Sequence, residues 1–104
     1  MTITVDLGSE QDVRTVGIGA LNETYSWIHL PEQVDFSTSN DGKTFALHGS
    51  AKVKPGVGRN AYMYDIGTRT RYIRFTVKHR GKIPDGFPGA GNPAWMFLDE
   101  IEVR

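Results

Sequence analysis

Aromatic rings and hydrogen-bonding side chains alternate in segment 22–29. Tyr25, Trp27 and His29 occupy every second position there, so an extended backbone would present all three on one side. Proteins bind sugars by stacking the apolar C–H faces of the sugar on aromatic rings while polar side chains hydrogen-bond the hydroxyl groups. Segment 22–29 is therefore a candidate sugar-binding loop.

A second candidate loop is segment 80–95, which is rich in glycine and proline and carries Phe87 and Asn92. Helices and central strands do not accept so many residues that break regular structure, and a loop of this length often has a function. Together with two arginines as further donors, the predicted carbohydrate-binding residues are Tyr25, Trp27, His29, Arg59, Arg80, Phe87 and Asn92.

Each ring also has a structural interpretation, because large aromatic side chains usually bury most of their surface. Trp95 continues the apolar face of the last predicted strand and is expected in the core. Trp27 either caps that core or stacks on a sugar, and Phe87 either contacts a ligand or holds the long loop to the body.

The spacing of ionisable residues does not favour an enzyme. Asp99 and Glu100 are neighbours in a predicted strand and should point to opposite faces, so they would not flank one scissile bond. His29, His48 and His79 lie in unrelated segments without metal-ligand spacing, and we interpret each as a surface histidine. The domain is therefore expected to be noncatalytic.

Composition narrows the classes of partner. The chain has 104 residues, which is the size of a single domain with its own core. Its 12 basic and 12 acidic side chains cancel, so neither a nucleic-acid partner nor a polybasic membrane surface is expected. The absence of cysteine excludes thiol catalysis, disulfides and thiolate zinc sites.

A β-hairpin is indicated most clearly in segment 34–45. Val34 and Phe36 alternate with polar neighbours and should face the core, and residues 40–42 (Asn-Asp-Gly) accept the positive φ angles of a tight turn. A partner strand should begin at Phe45.

Similar alternation recurs along the rest of the chain, and no amphipathic helix is indicated. We expect a turn at 8–12, a loop at 52–60 and a break at Gly67, which together divide the chain into about seven short strands. In segment 71–78, Ile73, Phe75 and Val77 share the core face. This pattern predicts an all-β fold, specifically an antiparallel β-sandwich of the jelly-roll type.

Four of these segments occur in an order that resembles a known family. They are Val-Asp-Leu-Gly at 5–8, the hairpin at 36–45, Arg-Tyr-Ile-Arg-Phe at 71–75, and the strand at 95–103. The combination resembles the discoidin, or coagulation factor five/eight type C, family, whose bacterial members include family 32 carbohydrate-binding modules. The resemblance implies a galactose-binding-like jelly roll over residues 1–104.

The residues at 28–31 and 88–95 look most like the carboxy-terminal module of bacterial β-N-acetylhexosaminidases, the chitobiase-like family 20 glycosidases. This resemblance implies a noncatalytic module of a larger, extracytoplasmic enzyme, with the hydrolytic site on a separate barrel domain. The implied partners are that catalytic domain and glycans containing N-acetylhexosamine or galactose, with no nucleic acid and no membrane insertion. Family members that bind galactose carry an arginine and an asparagine in the loop just before the hairpin, and segment 30–34 of this chain has neither. We expect a monomer.

The resemblance also implies a structural calcium site that uses a carboxylate at Glu100. The other ligands of that site come from a loop before Val5 that the sequence does not contain. Calcium takes six or more oxygen ligands, so we expect either no calcium or a weakly bound one, and no required cofactor.

Three functions remain open after these observations. A glycan-binding module comes first, because aromatic loops on a rigid sandwich could hold an enzyme near its substrate. A structural accessory domain, which packs on a catalytic domain without binding sugar, comes second. An enzyme comes last, because no acid, base or nucleophile grouping has suitable spacing.

Overall fold

The structure, a computed structural model, describes residues 1–51 and 56–104. This part of the chain forms strands and one single-turn 3-10 helix at Thr24–Ser26. The strands are β1 (Thr2–Asn22), β2 (Gln33–Ser39), β3 (Ala46–Ala51), β4 (Gly58–Lys78) and β5 (Leu98–Val103). The predicted all-β class is confirmed.

The strands pair antiparallel in the order β3-β2-β4-β1-β5. The two central partners, β1 and β4, have 21 residues each. Strands in globular proteins usually have roughly 3–10 residues, so a pair of this length must bend to remain within one domain.

The β1–β4 ladder bends between two stretches of regular pairing. In the first, residues 2–6 pair with residues 72–76, and in the second, residues 15–22 pair with residues 58–65. Two register shifts separate these stretches. Bulges of this kind bend a strand and increase its twist, so each stretch can belong to a different layer.

Side-chain contacts place the two layers face to face. Phe36 of β2 packs edge-on against its ladder partner Phe75, with ring centroids 5.4 Å apart. Phe36 also stacks on Tyr64, which belongs to the other stretch of β4, at 5.4 Å. The Tyr64 hydroxyl donates a hydrogen bond to the backbone oxygen of His48 on β3 at 2.9 Å. The predicted antiparallel sandwich is therefore confirmed.

The core lies between these layers and draws on β1, β2 and β4. Its largest fully buried side chains are those of Tyr62, Phe36, Phe75, Ile73, Val16, Val34, Val77 and Thr70. The inward positions predicted from alternation in β2 and in the second half of β4 are confirmed by this set.

The predicted hairpin is also confirmed. β2 and β3 pair antiparallel, and Gly42 in the turn between them has a φ of 75°. The Asp41 carboxylate accepts hydrogen bonds from the backbone N–H groups of Lys43 and Thr44 at 2.8 and 2.9 Å and from the Ser39 hydroxyl at 2.8 Å. One aspartate thus fixes the turn.

The predicted breaks at 8–12 and Gly67 are wrong, because both lie inside long strands. Segment 8–12 and Gly67 lie on neighbouring strands at the bend of the β1–β4 ladder, where residues 11–13 pair with residues 68–70. Residues 7–10 of β1 and Gly67 of β4 are left out of the pairing register, so they interrupt and bend the ladder without ending either strand. In the predicted loop at 52–60, residues 52–55 lie outside the described residues, and β4 already begins at Gly58.

The last strand is shorter than predicted, and its apolar residues do not all face the core. β5 begins at Leu98, and the side chains of Trp95 and Phe97 are 62% and 52% exposed. The core position predicted for Trp95 is wrong, because its backbone bonds to the 22–29 loop before β5 begins. Its N–H donates to the oxygen of Trp27 at 2.8 Å.

Candidate ligand-binding cleft

A cleft of about 440 Å³ opens at the end of the sandwich where β1 finishes. Its walls come from the two loops that the sequence singled out and from the segment before β4. The lining residues are Asn22, Thr24, His29, Leu30, Val57, Arg80, Pro84 and Phe87.

The first wall is a tight excursion of the chain after β1. Glu23 and Ile28 exchange backbone hydrogen bonds of 3.0 and 3.1 Å, which close the 3-10 turn between them. Trp27 takes a left-handed φ of 65° at the end of this turn. The chain is therefore not extended here, so the condition under which Tyr25, Trp27 and His29 would share one side is not met.

The second wall is the 80–95 loop, which is held by its own hydrogen bonds. The N–H of Ile83 donates to the oxygen of Asn92 at 2.8 Å, and the N–H of Gly91 donates back to the oxygen of Ile83 at 3.0 Å. The Ile83 side chain is buried and fixes the base of the loop. Phe87 stands near the tip, so a fixed base positions it at the cleft.

The two walls are joined through Trp95. Its N–H donates to the oxygen of Trp27 at 2.8 Å, and its own oxygen accepts from the N–H of His29 at 2.9 Å. This pairing forms a short parallel bridge between Ile28 and Trp95. Although Trp95 does not line the cleft, its backbone sets the distance between the two walls.

His29 lies at the back of the cleft and is 5% exposed, so its predicted surface position is wrong. Its ring meets Phe87 edge-to-face, with centroids 5.3 Å apart and planes at 81°. Burial, and secondarily the nearby Arg80 charge, lower the pKa of His29 below its usual value. The imidazole is therefore neutral at physiological pH, and its Nε2 has no hydrogen-bond partner among the described residues.

Arg80 supplies the charge of the cleft. Its Nε is buried, and no residue in the described ranges hydrogen-bonds it. Beneath the cleft, the hydroxyl of buried Tyr62 donates to the oxygen of Pro31 at 2.7 Å. Burial raises the pKa of Tyr62 to about 12, and the Arg80 charge acts in the opposite direction.

Three of the predicted carbohydrate-binding residues, His29, Arg80 and Phe87, thus meet in one cleft. Three others, Tyr25, Trp27 and Asn92, belong to the same two loops but do not line it. Trp27 is half-buried beneath the second loop. Tyr25 is 89% exposed. The Asn92 amide donates to the oxygen of Gly89 at 3.0 Å, which braces the loop.

Arg59 lies at the start of β4 and does not line the cleft. Its Nε is 3.1 Å from the Asp99 carboxylate, and its Nη2 is 3.2 Å from Glu100 Oε2. Arg59 is therefore engaged in an exposed ion-pair cluster with two residues of β5.

Asp99 and Glu100 reach the same guanidinium, so the prediction that they point to opposite faces is wrong. Ile18 pairs with Ile101 while Gly19 pairs with Asp99, which leaves Glu100 as an extra, bulged residue. Its φ of 38° turns the side chain out of the regular alternation.

Asn22 and Thr24 also line the cleft, although the sequence pattern did not single them out. Asn22 Nδ2 donates to the oxygen of Gly56 at 2.7 Å, which ties the end of β1 to the segment before β4. Both residues lie in the predicted 22–29 loop, but their short side chains gave no aromatic signal. Their position at the end of a strand beside aromatic residues is the signal that could have identified them.

The cleft therefore combines an apolar wall, a neutral imidazole and a cation. Such a site can accept a ring-shaped ligand with hydroxyl or carbonyl groups. Within residues 1–51 and 56–104, no three His, Asp or Glu side chains are grouped so that they could share a metal ion. In the same ranges, no helix has the length and apolar character needed to cross a bilayer.

Comparison with known proteins bears on the fold. No protein-family model matches the chain, and no curated protein matches it. A solved structure described as a glycoside hydrolase is similar, with a TM-score of 0.54 and 22% sequence identity over 74% of this chain. The match covers 16% of that glycoside hydrolase. The chain thus shares its fold with a minor part of a much longer glycoside hydrolase.

Proposed function

We propose that this chain is a noncatalytic carbohydrate-binding module that tethers a larger glycoside hydrolase to glycans. The observation that carries the proposal is the cleft of about 440 Å³ in which Phe87, His29 and Arg80 converge. Such a volume suits one or two sugar rings, because small-molecule sites usually have volumes of about 300–1,000 Å³.

The chemistry of the lining residues supports sugar recognition. Phe87 and Pro84 offer apolar surface for the C–H groups of a sugar, while Asn22, Thr24 and His29 offer polar atoms for its hydroxyl groups. Because the loops are pinned by backbone hydrogen bonds, little conformational entropy is lost when a ligand binds.

The similarity to a short part of a glycoside hydrolase supports a role as an accessory module. A bound module keeps a linked catalytic domain at high effective concentration near its polymer. We propose that the parent is an extracytoplasmic enzyme of the chitobiase-like β-N-acetylhexosaminidase type, and that the module is of the discoidin type. The expected ligands contain N-acetylhexosamine or galactose.

Glycan-array screening followed by calorimetric titration of the best ligand tests this proposal. We expect Phe87→Ala to weaken binding by about tenfold, the effect of losing one good ring contact. Phe97→Ala is the matched control, since Phe97 is also about half exposed but lies outside the cleft. Absence of binding to any glycan, or equal effects of the two substitutions, would contradict the proposal.

A second candidate function is a structural accessory domain that packs on a catalytic domain. The observation that favours it is exposed apolar surface near β5, where Trp95, Phe97 and Ile101 are 40% or more exposed. This function predicts that the isolated chain binds no glycan but self-associates in analytical ultracentrifugation, and that Phe97→Ser reduces the association. A monomeric, glycan-binding chain would contradict it.

A further inference from the structure

We propose that the cleft selects sugars that carry a carboxylate group, such as uronic or sialic acids, and that Arg80 recognises the charge. This inference rests on the glycan-binding function proposed above and adds the chemical class of the ligand.

The charge of the cleft is not balanced by the protein. Among the described residues that line the cleft, Arg80 is the one with a charged side chain. No ion pair joins it to an acidic residue of the described ranges. The four residues outside those ranges include no Asp or Glu. Glu32, which follows the buried Pro31, is already paired with Lys78 at 3.3 Å. Glu23 and Asp85 are sequence neighbours of lining residues, but neither is within ion-pair distance of Arg80. A carboxylate on the ligand would therefore be the first counter-charge in direct contact with Arg80.

Two buried nitrogen atoms strengthen this argument. Arg80 Nε and His29 Nε2 are both buried, and both residues line the cleft. Neither atom has a hydrogen-bond partner in the part of the chain that the structure describes. Because Arg80 Nε has no acceptor among the described residues, the protein does not pair the guanidinium at this atom, and a carboxylate in the cleft would be its first charged acceptor. A carboxylate has two acceptor oxygens in one plane, whereas a hydroxyl group has one oxygen.

The electrostatic field at the cleft has the sign that favours an anion. The Arg80 charge lowers the pKa of His29 in addition to the larger effect of burial. The same charge opposes the rise in the pKa of Tyr62 that burial causes. Both effects follow from the closeness of the Arg80 charge to His29 in the cleft and to Tyr62 beneath it, and the same charge would stabilise a carboxylate bound in the cleft.

Neutral sugars would use the same apolar wall but would leave the guanidinium without a counter-charge. Hydrogen bonds from a guanidinium to a carboxylate are stronger than those to a neutral oxygen. The planar guanidinium also matches the geometry of a carboxylate better than an ammonium group does. The difference between an acidic sugar and its neutral counterpart should therefore depend mainly on Arg80.

Matched pairs of ligands test this inference. Trigalacturonate and 3′-sialyllactose would each be titrated against the whole chain beside the same sugar with its carboxyl groups reduced to alcohols. We expect the acidic member of at least one pair to bind about tenfold or more tightly, the usual effect of one charged hydrogen bond. The pair that shows the difference identifies the source of the carboxylate.

Three variants test whether the preference for acidic sugars depends on Arg80. In Arg80→Gln, the ratio of the affinity for the acidic sugar to the affinity for its carboxyl-reduced counterpart should fall to about one, while the carboxyl-reduced sugar still binds. Arg80→Lys should give an intermediate ratio. Arg14→Gln is the control, because it removes the same charge from an exposed site in the middle of β1, away from the cleft. It should leave the ratio unchanged. Circular dichroism would verify that each variant is folded.

The outcomes separate this inference from the proposed function. Equal binding of acidic and reduced sugars by the unmodified chain would overturn the charge preference and leave glycan binding intact. A preference that persists in folded Arg80→Gln would overturn the role of Arg80. Failure to bind any of these ligands or any glycan on the array would overturn both the proposed function and this inference.

Discussion

The indole ring of Trp27 lies directly against the backbone of Gly89. A Cβ atom at position 89 would overlap the ring, and Gly89 also has a φ of 79°, which side chains rarely adopt. This contact seats the 80–95 loop on the first wall and so determines where Phe87 stands.

Gly89→Ala should therefore destabilise the protein by about 2–4 kcal/mol, from the strained φ and the overlap with Trp27 together. Gly91→Ala is a matched control, since Gly91 has a φ of 88° but no atom lies within 4 Å of the position that its Cβ would take. It should cost only about 1–2 kcal/mol from backbone strain. Urea unfolding measures both, and equal losses would mean that the Trp27 contact contributes little.

Tyr62→Phe should destabilise the protein at neutral pH by about 1 kcal/mol, because the buried oxygen of Pro31 loses its hydrogen bond. Above pH 10 the difference should shrink. The tyrosine of the unfolded chain ionises near pH 10, whereas Tyr62 in the folded protein keeps its proton until about pH 12 because burial raises its pKa to about 12. The free energy of unfolding of the unsubstituted protein therefore falls between pH 10 and 12. Tyr62→Phe has no ionisable group at this position, so it does not show this loss.

Denaturant midpoints of both proteins at pH 8 and pH 11.5 measure this effect. A gap in stability that stays constant across this range would show that Tyr62 ionises normally in the folded state.

Asp41→Asn should lower stability at pH 7 and flatten the acid side of the stability profile. The pKa of Asp41 is lowered from 3.8 to about 2 by the N–H groups of Thr44 and Lys43 and by the Ser39 hydroxyl. The ionised Asp41 carboxylate contributes its full stabilisation of the folded state above pH 4, and this contribution is lost as the pH falls through 2. The loss occurs because the Asp41 carboxylate takes up its proton at a higher pH in the unfolded chain than in the folded protein. Thermal unfolding from pH 2 to 7 measures it.

Asp12→Asn is the control for the loss of one acidic group. Asp12 is exposed and contacts Arg69 at 3.5 Å without a role in a turn. This variant should leave the stability at pH 7 nearly unchanged. A loss as large as that of Asp41→Asn would contradict the special role of the hairpin turn.

Calcium should have little effect on stability, despite the site that the family resemblance implies at Glu100. The Glu100 carboxylate contacts the Arg59 guanidinium at 3.2 Å, and a cation there would compete with that pair. We expect the melting temperature to change by less than about 1 °C on adding millimolar calcium or a chelator. A rise of several degrees that disappears in Glu100→Gln would identify a calcium site after all.

Local alternation was sufficient to predict which side chains of β2 and of the second half of β4 face the core. Val34 and Phe36, and likewise Ile73 and Phe75, are buried as predicted, because a strand alternates its faces without reference to the rest of the fold. The hairpin turn was equally predictable, since Gly42 supplies its positive φ locally.

The features that the sequence did not reveal depend on distant partners. Gly67 reads as the end of a strand, yet the ladder with β1 carries β4 through it. The bulge at Glu100 changes the phase of β5, and no local pattern indicates it. In the cleft, His29 is buried because the 80–95 loop covers it, so its environment depends on residues more than 50 positions away, such as Phe87.

The long β1–β4 ladder also has a consequence for how the chain folds. The Met1 ammonium donates to the oxygen of Val77, 76 positions along the chain, so the first residues find partners only after most of the sequence is available. Closing such large loops is entropically slow, whereas the β2–β3 hairpin is local. We therefore expect the hairpin to nucleate, β4 to dock on it, and β1 to join late, with folding on a timescale of roughly milliseconds to seconds.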